Sequence, residues 1–525
     1  MKGDAGTSAN LALIGGKVLT MNSSEPRAEA VAVKGNRIVK VGTDEEISQL
    51  VGKETKVIHL NGKTVVPGFI DTHIHVADFA KLLTWIDLND VKSIKELQNH
   101  LKERAQKTPR GRWIIGRGWN QARLREKRLP SLADLDSASP DNPVILYHEC
   151  ALMCVVNSKA LELAGVTKQT RAPSGGKIDK DAETGEVTGV LRDAATDLVW
   201  KAIPEPSEGE LLEAVGLAFE QIMEAGITSV HWIVLSAIEL SVVQKLLAQK
   251  KLPIRVYLIV PANLVDTVLN SDLLRFSADK LKVGGVMVFA DGYLAAKTAA
   301  LLQPYSDDAS VRGKLLCGQE EMNAVAAKAL GAGLQLVIHA VGDKAVDAAL
   351  TTIERVSKEA RCRVEQAAVL NKGLIQRLKT QKVIVSVQPR VVASEFSVWS
   401  ATEHLGAERA RWLFPLKTLI KEGVKVVGGS DCPMEPLNPL LGIQAAVTRQ
   451  FFPEERITVD EALRMYTVDA AYSSGEENIK GSVETGKLAD LTVLSHDPCE
   501  VPPNEIGSIT VEMTIAGGKV VYSKR

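Results

Sequence analysis

The sequence predicts an α/β fold: a (β/α)8 TIM-like barrel with a composite β-sandwich domain built from both termini. Two observations carry this. Through the middle of the chain, short apolar strands alternate with amphipathic helical runs, the pattern of parallel βαβ units. The two ends instead hold short alternating strands punctuated by Gly-Asn and Gly-Lys turns, and both contain Gly-Gly-Lys-Val, at residues 15–18 and 517–520.

At the start come KVLTM, AVAVKGNRIVKVG, KVIHL and KTVVPG; at the end come DLTVLS and VEMTIAGGKVVYS. Neither piece is large enough to bury a good core alone. Residues 1–67 and 478–525 are therefore expected to pair in one sandwich, with a barrel at 68–477 inserted between them. The middle offers nine candidate strands: GFIDTHIHV, PVILYH, ITSVHWIV, PIRVYLIV, VGGVMVFAD, LQLVIHA, CRVEQAAV, VIVSVQPR and VKVVGGSD. Helical runs such as EGELLEAVGLAFEQIMEAG and KAVDAALTTIERVSKEA lie between several of them. A closed barrel needs eight strands. The spare one is assigned to an insertion at about 80–205, which is too long for one crossover.

The 525 residues are 45% apolar and 24% charged, ample for a large core. Lys and Arg number 63 against 64 for Asp and Glu. That balance gives no basic excess for nucleic acid or an anionic membrane, so the expected partner is a small molecule. None of the six cysteines forms a CxxC pair, and they read as free thiols of a reducing compartment. No apolar run reaches the ~20 residues of a membrane span, and the first residues lack an apolar leader. The predicted location is cytoplasmic.

The chemistry begins at Asp71-Thr72-His73-Ile74-His75. Alternation along a strand places His73 and His75 on one face with Phe69 and Asp71, and Ile70, Thr72, Ile74 and Val76 on the other, against helices. Two imidazoles so placed can converge on one ion; the alternative is a pair of buried, hydrogen-bonded histidines. His339 ends the apolar run Leu336-Val337-Ile338, and Asp431 directly follows Val426-Val427-Gly428-Gly429-Ser430. Strand C-termini are where barrel enzymes build their sites. Asp343, just after His339, reads more simply as a helix cap. Three imidazoles and one carboxylate suit zinc or a similar borderline metal. Such an ion makes hydroxide available at neutral pH, and a neighbouring carboxylate can move the proton.

With their flanks, these residues resemble the amidohydrolase superfamily, and within it the YtcJ-like, amidohydrolase-3 type. The matching stretches are VVPGFIDTHIHV, VVNSKAL, MVFADGYL, PYSDD, IHAVGDKAV, VSVQP, GGSDCPMEPLNPL, RMYTVDAAY and GSVETGKLADLTVLS, in family order along nearly the whole chain. The resemblance implies that His73 and His75 are metal ligands on the first barrel strand and His339 on the fifth. It implies that Asp431, on the eighth, is both ligand and proton shuttle. It matches Asp291 to a family aspartate near the pocket, expected either to position substrate or to stabilise a turn before Gly292. It also implies a homo-oligomer, a dimer by family habit.

Three departures stand out. Met287 occupies the place of a lysine that in many relatives can be carboxylated and bridge two metals, which predicts one divalent ion: zinc, with iron or manganese as alternatives. Gln366 stands where many relatives have histidine, and can hydrogen-bond substrate or water. Leu152 stands where relatives often show histidine, with Glu149 as a remote substitute ligand. His231 can polarise a carbonyl or be a core histidine. Trp85, Trp113, Trp119 and Trp232 can line a pocket or pack the core. The expected function is hydrolysis of a C–N bond other than a peptide bond. The rivals are a catalytically inactive binding or scaffold protein, motivated by positions 152, 287 and 366, and a metal-dependent lyase such as a decarboxylase.

Overall fold

The structure is a computed structural model; it describes residues 8–274, 280–356, 360–396 and 399–524. The chain divides into two compact units, residues 1–79 with 216–525, and Ala80–Val215.

In the first unit, eight strands form one sheet: β1 (Phe69–Ile74), β2 (Ile227–Ile233), β3 (Arg255–Pro261), β4 (Leu281–Phe289), β5 (Gln335–Ala340), β6 (Arg363–Gln366), β7 (Ile384–Val387) and β8 (Lys425–Gly428). They lie side by side in chain order, and every adjacent pair is parallel. The ring closes where β8 runs into β1: the amide of Asp431 donates to His73 O (2.8 Å), and that of His75 to Cys432 O (3.0 Å). This is the predicted TIM-like barrel. Its strands are nearly continuous apolar runs because both faces are covered.

The intervening helices follow from their patterning. In Asp343–Val356, for example, Val346, Ala349, Leu350 and Ile353 recur at helical spacing and are buried. Inside the barrel, Ile233, Tyr257, Ile259, Met287 and Val337 form an apolar plug. Gly284 is required there, since a Cβ would fall about 2 Å from the Tyr257 ring.

Both chain ends build sheets, as the predicted composite domain requires. One has four strands, Arg37–Gly42, Ala30–Lys34, Leu11–Ile14 and Lys56–His59. The other has six and mixes the two ends: Thr64–Pro67 pairs antiparallel with Leu491–Leu494 and parallel with Lys17–Leu19. Leu11, Leu13, Val31 and Val33 of the first sheet share one core with Val65, Leu491, Val493 and Ile515 of the second. The barrel is tied to this domain by a buried ion pair, Arg255 Nε to Asp490 Oδ2 at 2.6 Å.

The second unit has its own six-stranded sheet, in the order Gly176–Lys180, Val187–Asp193, Met153–Val156, Val144–His148, Ile114–Trp119, Ile86–Asp87. The ninth candidate strand, in PVILYH, is therefore Val144–His148 of this sheet. Trp119 is core here, and Trp232 is core in the barrel unit. Trp85 stacks on Tyr147 within the second unit (6.2 Å), and Trp113 packs on its apolar cluster. Leu152 is exposed, and Glu149 is engaged by Arg123 (2.6 Å) and Asn120. The six cysteines form no disulfide among the described residues; Cys150 and Cys499 are exposed and the rest buried. Among the described residues no helix is long and apolar enough to cross a membrane.

Candidate functional site

The site is assembled from strand ends. Strict alternation along β1 is interrupted by register shifts against β2, one between Phe69 and Ile70 and one between Asp71 and Ile74. Thr72 consequently does not turn to the helices as alternation predicts: its hydroxyl donates to Gly428 O (2.9 Å) and lies 3.3 Å from Ser386 Oγ. Asp71 does not join the histidines either. It accepts from the Ser430 amide (3.0 Å) and hydroxyl (2.6 Å), fastening β1 to the turn after β8, and burial pushes its carboxyl up to about 6. Gly429 permits this seam, because a Cβ there would sit 2.6 Å from the backbone nitrogen and Cβ of His73.

At the seam the ligand atoms of His73, His75 and Asp431 lie within 4.8 Å of one another. Asp431 Oδ1 is 3.4 Å from Nε2 of His73 and 3.3 Å from Nε2 of His75. Asp431 sits at φ +57, a left-handed conformation that non-glycine residues seldom adopt outside special sites. His339, at the end of β5, lies beside this group but outside it. It is buried, its ring is 5.3 Å from that of Phe289, and its Nδ1 has no hydrogen-bond partner among the described residues.

The electrostatics follow from the crowding. Burial opposes a charge on His73, but Glu365 and Asp431 on either side outweigh it and hold the ring up at about 10. Burial likewise opposes the Glu365 carboxylate, yet Arg363 and His73 keep it down at about 2. Asp431 is held well below the carboxylate range despite its burial, by His73 and then His75. Burial, reinforced by His73, pushes His339 down to about 4, leaving a neutral imidazole. Metals require neutral imidazoles and ionised carboxylates: His339, Glu365 and Asp431 are already in those states, and an ion bound here would take the place of the proton that His73 carries towards Asp431. The N/O donor set, with His339 Nδ1 unused beside it, thus fits a divalent ion.

Glu365 is the main residue that sequence reasoning passed over. Its Oε2 is 2.7 Å from Nδ1 of His73, so Nε2 is the nitrogen turned to Asp431. It shares the inward face of β6 with Arg363, with which it pairs. The signal was present: two charged residues at i and i+2 in an apolar strand must compensate one another. Arg363 continues inward to His231, with Nη1 2.9 Å from Nδ1. His231 is fully buried against Tyr257 and is the core histidine of the two readings.

Gln366, at φ +71, places Nε2 3.5 Å from Asp431 Oδ2. Tyr293, which the sequence did not single out, donates its hydroxyl to the same oxygen at 3.4 Å. Asp291 makes no such approach. It accepts the amides of Ala300 (2.8 Å), Val341 (2.8 Å) and Gly342 (2.9 Å), the bonds of the turn-stabilising alternative. Asp343 accepts from Leu302 (2.8 Å) and Lys344 (3.0 Å) at the first turn of its helix.

Comparisons with known proteins agree with this architecture. Residues 56–522 match the amidohydrolase family. The chain is 35% identical to the putative amidohydrolase YtcJ of Bacillus subtilis, over 97% of this chain and 99% of that one. It is 28% identical to an N-substituted formamide deformylase of Arthrobacter pascens, over 98% of each. A crystal structure of an uncharacterized metal-dependent hydrolase from Pyrococcus furiosus superposes with a TM-score of 0.78 at 32% identity, covering 93% of this chain and all of the other. With the family matched from the N-terminal sheet to the last strand, the chain belongs to the amidohydrolase family, in its YtcJ-like branch.

Proposed function

We propose that the protein is a metal-dependent hydrolase of a C–N bond other than a peptide bond, in a small amide, N-acyl compound or cyclic amide. It would use one divalent ion, zinc ahead of iron or manganese, held by His73, His75, His339 and Asp431. The observation that carries this is the convergence of two imidazole Nε2 atoms on one carboxylate oxygen at the barrel seam. A bound ion of this kind lowers the pKa of water and polarises a carbonyl. The protein's own groups do the rest. Glu365 fixes the tautomer of His73. Asp431 accepts the proton of the attacking water and returns it to the leaving nitrogen. Gln366, beside Asp431, contacts substrate, whereas Asp291 acts through the loops it ties together. Met287 lies in the apolar plug and offers no bridging oxygen, which supports a single ion. The formamide deformylase relative makes N-substituted formamides the first compounds to try.

The test is elemental analysis of the purified protein beside a His73→Ala/His75→Ala variant, with Asp431→Asn assayed on N-substituted formamides, N-acyl amines and cyclic imides. One equivalent of zinc, lost in the double variant, with turnover lost in Asp431→Asn, is the expected result. Two equivalents overturn the single-ion reading. Absence of metal after reconstitution favours a non-catalytic binding protein, and undiminished turnover in Asp431→Asn overturns the proton-shuttle role.

A further inference from the structure

The two oxygens of Asp431 have different neighbours. Oδ1 faces Nε2 of His73 and His75, while Oδ2 receives the hydroxyl of Tyr293 at 3.4 Å and the amide of Gln366 at 3.5 Å. The main chain of Asp431 is already fixed, by the hydrogen bond that its amide donates to His73 O and by its left-handed turn. Rotation about the side chain is what remains to be set. A carboxylate free to turn would exchange its oxygens, and donors on one oxygen alone prevent that.

Tyr293 is held for such a task. It lies in the long connection after β4, yet its amide donates to Thr298 Oγ1 (2.8 Å) and its carbonyl accepts from the amides of Thr298 and Ala299 (both 3.0 Å). Two residues before it, Asp291 binds the amide of Ala300, closing the loop on itself, and the amides of Val341 and Gly342 just beyond His339. Further along, Arg409 donates to the carbonyls of Gln303 (3.0 Å) and Pro304 (2.7 Å). The loop that carries the phenol is therefore fastened to the same strand end that carries His339.

We propose that Tyr293 is a positioning residue for Asp431: its hydroxyl pins Oδ2, keeping Oδ1 turned to the histidines and the second oxygen aligned for proton transfer. This rests on the hydrolase reading above for its catalytic consequence, but its structural part stands apart from any substrate. Gln366, at the end of β6, completes the pair of donors. Asp291 contributes indirectly, by fixing the loop.

The experiment uses Tyr293→Phe, which keeps the ring at a partly exposed position and removes only the hydroxyl. Cobalt(II) titration of the metal-free protein reads the site without substrate. The expected result is affinity weaker by about tenfold, with an altered visible spectrum. On any amide the wild type hydrolyses, kcat should fall at least about tenfold with KM nearly unchanged, and the variant should add no further loss in an Asp431→Asn background. Thr298→Val, which removes the anchor of the Tyr293 amide, should reproduce part of the effect, and Thr298→Ser should restore it. Wild-type cobalt affinity and spectrum together with wild-type kcat overturn the proposal, as does an equal loss with and without Asp431. If the wild type hydrolyses none of these amides, the functional reading fails while the cobalt titration still decides the role of Tyr293.

Discussion

Glu365 Oε2 and His73 Nδ1 lie 2.7 Å apart, on strands β6 and β1, which lie across the interior of the barrel from each other. A carboxylate that holds one imidazole nitrogen as a donor leaves the other free for a metal and raises its basicity. Glu365→Gln should preserve the barrel and weaken binding of the proposed divalent ion about 10–100-fold. Competition with a chromophoric chelator measures this, and unchanged affinity would show that the contact serves only the Arg363 charge.

Arg255 and Asp490 form a buried two-pronged pair, 2.6 and 3.2 Å, and Asp490 Oδ1 also accepts the Gly517 amide at 2.7 Å. Removing one member of such a pair leaves a desolvated charge without its counterion. Asp490→Ala should cost about 3–5 kcal/mol, read as a lower urea midpoint. A midpoint within error of the wild type would mean that water reaches the guanidinium.

In the inserted unit, Asp134 caps its helix with Ser131 and takes two bonds from Arg128, at 2.6 and 3.0 Å. Burial opposes its charge, but Arg128 and Ser131 prevail and hold the carboxyl at about 2. Its folded value thus lies below the unfolded value of about 3.9. The stabilisation is present in full above the unfolded value and is lost as pH falls through the folded one. Asp134→Asn should cost about 1 kcal/mol at neutral pH, screening included. The gap from wild type should narrow between about pH 4 and pH 2. Urea titrations at neutral pH and at the acid end of that window test it; a gap independent of pH would place the effect in packing.

Gly429→Ala would put a methyl group against the His73 backbone at the seam. Overpacking of this kind costs about 1–3 kcal/mol, and here it also displaces a proposed ligand. Thermal stability and affinity for the proposed divalent ion should fall together. A stable variant with reduced affinity, or the reverse, would show that the seam and the site are independent.

The barrel was legible because its strands are apolar runs with helices between them, and the ends because alternating strands cannot fold without one another. The ligand candidates were legible for a related reason: His73, His75, His339 and Asp431 each interrupt or terminate such a run, where a polar residue needs a purpose. Thr72 was misplaced because alternation assumes a regular strand, and β1 is irregular beside β2. Tyr293 could not be found this way. It comes from a loop whose path is set by Asp291 and Thr298, and loop geometry has no periodicity to read. Glu365 could have been found by asking what balances Arg363.

The closing seam also orders events in time. Asp71 and Ser430, which fasten it, stand 359 positions apart. During synthesis His73, in β1, and His75, just beyond it, emerge early, and Asp431 arrives only after seven further barrel strands have been made. His339 follows on the fifth strand and Asp431 comes last, so the grouping of His73, His75 and Asp431 comes into being in the same step that completes the ring. If the site holds an ion as proposed, full retention depends on the closed ring: a chain halted before Asp431 has the three imidazoles of the proposed set but lacks the carboxylate that joins the first two.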